Sequence, residues 1–248
     1  MAGNMYDWVA DNRPNPLAGE CPHKCVYCSI GRLKGHYPVM KRKYSGELRL
    51  DEKGLRKVCG NGNGKPVFIC SANDLFAEAV PSEIIRAVLE RCGEYDDEYL
   101  FHTKNPVRLN AFCGLLPEKS ILATTIETDL DTSLISRAPE AYVRLGALGE
   151  LRLAFRDGRM NARPVMVTVE PVLKFGYGFA EQLSYIEPDV VNFGADTGNN
   201  GLVEPTPERL RSLIGEVRQF CSDVRLKPNL KRLLPIEVPN ELGNEESD

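Results

Sequence analysis

The chain has 248 residues, 42% of them apolar, which is enough for one continuous core and sets a single α/β domain as the default. A net charge of -4 excludes a surface built throughout for nucleic acid, although a local basic groove fits within that total. There is no basic start followed by an apolar run and no stretch approaching the ~18 apolar residues of a membrane span, so a cytoplasmic protein without a membrane partner is expected.

Near the start, Cys21-Pro-His-Lys-Cys25-Val-Tyr-Cys28 places three thiols within eight residues. They are too close together for ordinary pairwise disulfides and well spaced to fold around one metal centre. The other five cysteines, Cys59, Cys70, Cys92, Cys113 and Cys221, are scattered, so three local ligands predict a coordination site with one open position. The alternative is a closed zinc site in a non-catalytic interaction module, for which His23 or His36 would be the fourth ligand. Farther on, Lys41, Arg42 and Lys43 form a basic run that suits a phosphate-bearing substrate or simply a solvated face. Gly60-Asn-Gly-Asn-Gly64 is a turn or linker, because no phosphate-binding helix follows it.

From Lys65 onward, short β-rich runs alternate with amphipathic segments. The pattern predicts strand 66–70, helix 81–92, strand 99–102, helix 106–115, strand 120–126, helix 131–148, strand 165–169, helix 180–186, strand 189–193 and helix 207–220. Such alternation implies a parallel sheet with right-handed crossovers, five or six units making an open or partial barrel. Functional side chains then belong at strand C-termini. The domain is expected over 1–234, with an acidic, Pro- and Gly-punctuated flexible tail over 235–248.

Several polar residues fall at those strand ends. Ser71, Asn73 and Asp74 follow the first strand, and Asp74 is also a candidate helix cap. Lys104 closes the second, Thr125 and Glu127 the third, Glu170 the fourth and Asp196 the fifth. Carboxylates at buried strand ends are costly without partners, which ribose hydroxyls or a polar substrate would supply. Cys70 and His102 each read two ways: Cys70 as a hydrogen-atom donor or a small buried hydrophobe, His102 as a barrel-facing group or a satisfied core histidine.

The Cys-x3-Cys-x2-Cys loop with Tyr27 before its third cysteine resembles the signature of the radical S-adenosylmethionine superfamily. The likeness extends, through short motifs in the same order, to an uncharacterised phage-associated branch related to spore photoproduct lyase; these are residues 67–76, 101–106, 167–171 and 192–196. It implies a partial (β/α)6-type TIM barrel of the radical SAM type. It also implies a 4Fe-4S cluster on Cys21, Cys25 and Cys28, and S-adenosylmethionine on the open iron, cleaved to a 5'-deoxyadenosyl radical that abstracts hydrogen from a substrate. Tyr27 would support the adenine, and Lys104 with Asp74 the methionine end. A flavodoxin or ferredoxin-type reductant would deliver the electron, and nucleic acid is the lead for the substrate. Where many members carry Gly-Gly-Glu, this chain has Ser71, Asn73 and Asp74.

Overall fold

A computed structural model describes residues 6–234; the tail expected over 235–248 lies outside the described residues. The chain opens with a two-residue strand, β1 (Leu17–Ala18), followed by the cysteine loop and two short helices, α1 (Ser29–His36) and α2 (Pro38–Lys43). It returns as β2 (Arg49–Leu50), antiparallel to β1, and α3 (Glu52–Leu55).

Six strands follow, with a helix between each and the next. They run β3 (Val67–Ile69), α4 (Ser82–Gly93), β4 (Tyr99–Thr103), α5 (Pro106–Ala111), β5 (Ser120–Thr125), α6 (Ala141–Arg156), β6 (Val165–Val169), α7 (Phe179–Ser184), β7 (Val190–Phe193), α8 (Pro207–Val217) and β8 (Asp223–Leu226). The strands form one sheet in the order β3-β4-β5-β6-β7-β8, every neighbouring pair parallel. Each strand therefore lies beside its successor with a helix between them, the connectivity of a partial barrel. No helix among the described residues is long and apolar enough to cross a membrane.

Strand alternation divides the core in two. Val67, Ile69, Tyr99, Phe101, Leu122, Val165, Val167, Val191 and Phe193 pack outward against the helices. On α4 the matching stripe is Ile84, Ile85, Val88, Leu89 and Cys92, at the spacing of one helical face. The opposite face carries Phe68, Leu100, Ile121, Ala123 and Met166, covered by Val9 with Tyr6 and Trp8 from the N-terminal segment. Towards the strand C-termini that face turns polar, with His102, Thr125 and Thr168.

The structure departs from the expected elements in three places. α6 begins at Ala141, ten residues beyond its predicted start, because the segment after Thr128 spends its backbone groups on the cysteine loop and on turns. The helix expected over 106–115 ends at Ala111 and finishes in a 3-10 turn, Cys113–Leu115. β2 and β8 carry no strand signal in the sequence: they have two and four residues and neither has an apolar run.

Candidate active site

The strand C-termini open on a cavity of about 730 Å³, and all three loop cysteines line it. Gly19 sets the entry to this loop at φ +100°, where a Cβ would lie 2.2 Å from the Glu47 carbonyl oxygen. The loop is then held from outside: Val26 N donates to Ile135 O at 2.9 Å, Arg137 N to His23 O at 2.6 Å, and Cys25 Sγ lies 3.1 Å from Ser136 Oγ. Cys28 caps α1, and its carbonyl accepts from Gly31 N at 3.1 Å. Among the described residues no three His, Cys, Asp or Glu side chains are gathered into a ready metal site. Three thiols have no mutual attraction until a cation supplies it, so this donor set, on one loop and lining one cavity, fits an iron–sulfur cluster by its chemistry. Burial, with a smaller contribution from the Asp74 charge, pushes the Cys21 thiol up to about 12, a shift that a bound cation would oppose.

Beneath the loop lie two buried carboxylates. Asp74 accepts from His23 Nε2 at 2.8 Å, Thr103 Oγ1 at 2.7 Å, Lys104 N at 2.7 Å and Phe76 N at 3.0 Å. It thereby ties the cysteine loop to the ends of β3 and β4. Burial would raise its pKa, but His23 and these donors hold it below the usual carboxylate value. Glu127 receives Tyr27 Oη and Lys104 Nζ on one oxygen and Arg144 Nη1, at 2.8 Å, on the other. Glu127 and Arg144 are both 0% exposed. Burial alone would raise the Glu127 pKa; the charges of Lys104 and Arg144 overcome it and hold it at about 2. Lys104 Nζ also donates to Tyr27 Oη and stands 4.7 Å from the Tyr27 ring centre, so the aromatic before the third cysteine is fixed from below.

The remaining predicted residues gather around the same space. Thr125 Oγ1 lies 2.9 Å from His102 Nε2, and His102 Nδ1 lies 2.8 Å from Tyr6 Oη, so the histidine faces the cavity with both nitrogens engaged. Burial lowers its pKa to about 4. Glu170 accepts from Lys227 Nζ at 2.5 Å, yet burial still raises its pKa. Asp196 caps its own turn, accepting from Gly198 N at 3.0 Å and Asn200 N at 2.6 Å. Asn73 reaches back to Gly19 O at 3.1 Å, and Ser71 is exposed, accepting from Asn15 Nδ2 at 3.3 Å. Glu127 alone of the predicted set does not line the cavity; it acts from behind Tyr27 and Lys104.

Cys70 follows β3 at φ +57°, buried and on the cavity wall. Burial pushes its thiol up to about 12, so it keeps its hydrogen at neutral pH. His23, the nearer candidate for a fourth zinc ligand, is committed to Asp74, and His36 lies exposed at the far end of α1; neither arrangement supports the zinc reading.

Sequence reasoning missed Arg144, Lys227 and Tyr6. A signal for Arg144 exists: it interrupts the apolar stripe Ala141, Leu145, Leu148, and a buried guanidinium demands a carboxylate. Lys227 follows a strand too short to be seen, and Tyr6 acts through a segment with no periodicity.

No model of a known protein family matches the chain, and neither does any curated protein. Solved structures do. A spore photoproduct lyase mutant with bound AdoMet and dinucleoside spore photoproduct superposes with a TM-score of 0.58 at 12% identity, covering 88% of this chain and 76% of that one. The chain shares the fold of spore photoproduct lyase. The lyase complexed with dinucleoside spore photoproduct gives 0.58 at 12% identity over 85% and 74% of the two chains. Another mutant of the lyase gives 0.58 at 11% identity over 91% and 78%. The partial barrel expected from the sequence is thus the barrel found.

Proposed function

We propose that the protein is a radical S-adenosylmethionine enzyme. The observation that carries this reading is the placement of the Cys-x3-Cys-x2-Cys loop over the C-terminal mouth of a parallel partial barrel, all three cysteines lining one cavity. Cys21, Cys25 and Cys28 would hold the 4Fe-4S cluster. Bound together, cluster and S-adenosylmethionine would supply reductive cleavage to a 5'-deoxyadenosyl radical, the species that abstracts hydrogen.

The chain's own residues position and shield. Tyr27 offers its ring at the cavity wall, held by Glu127 and Lys104. Ser71, Asn73, Thr125, Glu170 and Asp196 offer polar atoms to amino, carboxylate and ribose groups, while Asp74 and Lys104 brace the methionine end. Cys70, on the cavity wall, would be the residue that returns a hydrogen atom to a substrate radical. The AdoMet and dinucleoside photoproduct bound by the similarly folded lyase support this reading and favour a nucleotide-bearing substrate. A flavodoxin or ferredoxin-type protein would serve as reductant, in the cytoplasm.

Anaerobic reconstitution with iron and sulfide, then reduction by dithionite with S-adenosylmethionine, tests the proposal. Wild type is expected to yield 5'-deoxyadenosine and Cys28→Ala none. A colourless wild type without product overturns it.

A further inference from the structure

α1 and α2 form an arm unlike the rest of the molecule. In a chain of net charge -4, residues 29–43 contain Arg32, Lys34, Lys41, Arg42 and Lys43 and no carboxylate. Neither helix buries a single residue, so the arm adds nothing to the core and its sequence is free to serve its outer face. Lys34 is paired with Glu20 at 3.2 Å and Lys43 with Asp51 at 2.5 Å. Arg32, Lys41 and Arg42 are exposed, and no carboxylate pairs with them among the described residues. Tyr37, 56% exposed, joins the two helices, and Val39, 64% exposed, follows it in the first turn of α2.

The arm grows directly from the cysteine loop: Cys28 is the cap of α1, and Arg32 and Lys34 reach the cavity rim. Whatever docks on it lies next to the third thiol. An exposed aromatic and a valine inside a basic rim have the anatomy of a protein interface, in which an apolar centre is ringed by charge. A long polyanion suits the site less well. Crossing the mouth it would meet Asp129, Asp131 and Glu140 beside Arg137 and Lys174 on the loops that follow the barrel strands, a surface of mixed sign, and the cations Lys227 and Arg232 there are already paired.

We propose that the α1–α2 arm is the docking surface for an acidic one-electron donor protein, of flavin or iron–sulfur type. The inference rests on the radical-enzyme reading. One electron passes from the reduced donor to the cluster held at Cys28, with no bond made or broken and no proton moved. The unpaired cations steer the encounter, and Tyr37 with Val39 forms its dry centre.

The test compares wild type with Arg32→Glu/Lys41→Glu/Arg42→Glu. A control, Arg156→Glu/Arg159→Glu/Arg218→Glu, makes the same charge change at the C-terminal ends of α6 and α8, away from the mouth. Photochemically reduced flavodoxin is mixed with each reconstituted protein, and bleaching of the cluster's visible absorbance gives the second-order rate. Calorimetry with flavodoxin measures binding before any cluster is loaded. The arm variant is expected to lose about 10- to 100-fold in rate, together with its salt dependence and a comparable factor in affinity. Its dithionite-driven bleaching should stay unchanged, and the control should behave as wild type. Equal loss in the control, or none in the arm variant, overturns the proposal. So does loss of oligonucleotide binding in the arm variant with flavodoxin rates intact. If dithionite yields no 5'-deoxyadenosine from wild type, the enzyme reading fails, and calorimetry still decides the surface.

Discussion

Arg144 and Glu127 are both fully buried, and two of the guanidinium nitrogens of Arg144, Nε and Nη2, have no hydrogen-bond partner among the described residues. Taking away the carboxylate would leave a charge with no compensation in a low-dielectric interior. Glu127→Ala is therefore expected to lower the unfolding free energy in urea by about 3–5 kcal/mol, and Glu127→Leu/Arg144→Met to recover most of it. A single variant as stable as wild type would show that the pair contributes nothing. The same carboxylate gives a pH signature. Its folded pKa of about 2 lies below the ordinary 4.5, so its contribution is complete above 4.5 and drains away as pH falls towards 2. His102 acts in a separate window. With a folded pKa of about 4 against an ordinary 6.5, it binds fewer protons folded than unfolded between those values, so stability falls as pH drops from 6.5 to 4. His102→Gln should flatten the melting temperature across that window; an unchanged slope would assign the dependence elsewhere.

At the scale of elements, what the sequence made legible follows from how local each signal is. β3 to β7 are apolar runs bounded by turns, and α4 and α8 carry their own apolar stripes, so each could be read alone. α6 could not. Residues 131–138 have helix-like spacing in Leu134, Ile135 and Ala138, but Ile135 O and Arg137 N are drawn off by the cysteine loop, a partner more than a hundred residues away. The same distance hides the role of Glu127, which is a strand-end carboxylate in sequence and a brace for Tyr27 in space. Gly19 shows how tightly that loop is seated, since its φ of +100° and the closeness of the Glu47 carbonyl oxygen, 2.2 Å from where a Cβ would stand, leave no room for a side chain. Gly19→Ala is expected to shift β1 against β2 and displace Cys21. Reconstituted iron per chain should fall by about half or more, since a cluster site tolerates little displacement of its ligands, while far-ultraviolet circular dichroism is retained. Full iron loading would mean that the loop tolerates the displacement.

The whole molecule is a barrel that six strands do not fill by themselves. The concave face offers Phe68, Leu100, Ile121, Ala123 and Met166, and these are covered by Tyr6, Trp8 and Val9, a segment with no regular structure of its own. Arg225 from β8 lies over the Trp8 ring at 4.7 Å, joining the last strand to the first described segment. The plug also carries the cavity floor, because Tyr6 Oη holds His102 at 2.8 Å. Fold stability and site geometry are thus coupled through residues that periodicity alone does not mark. Val9, 1% exposed, is the most stringent place to test this, and Val39, 64% exposed on α2, is its natural control. A carboxylate at position 9 would be buried among hydrocarbon without a partner, at a cost of about 3–4 kcal/mol, or about 10 °C in melting temperature for a chain of this size. Val9→Asp should therefore melt well below wild type and bind a hydrophobic dye at the opened concave face, whereas Val39→Asp should do neither. If the two variants melt together, the N-terminal segment does not plug the barrel, and the floor of the cavity must be held by the strands alone.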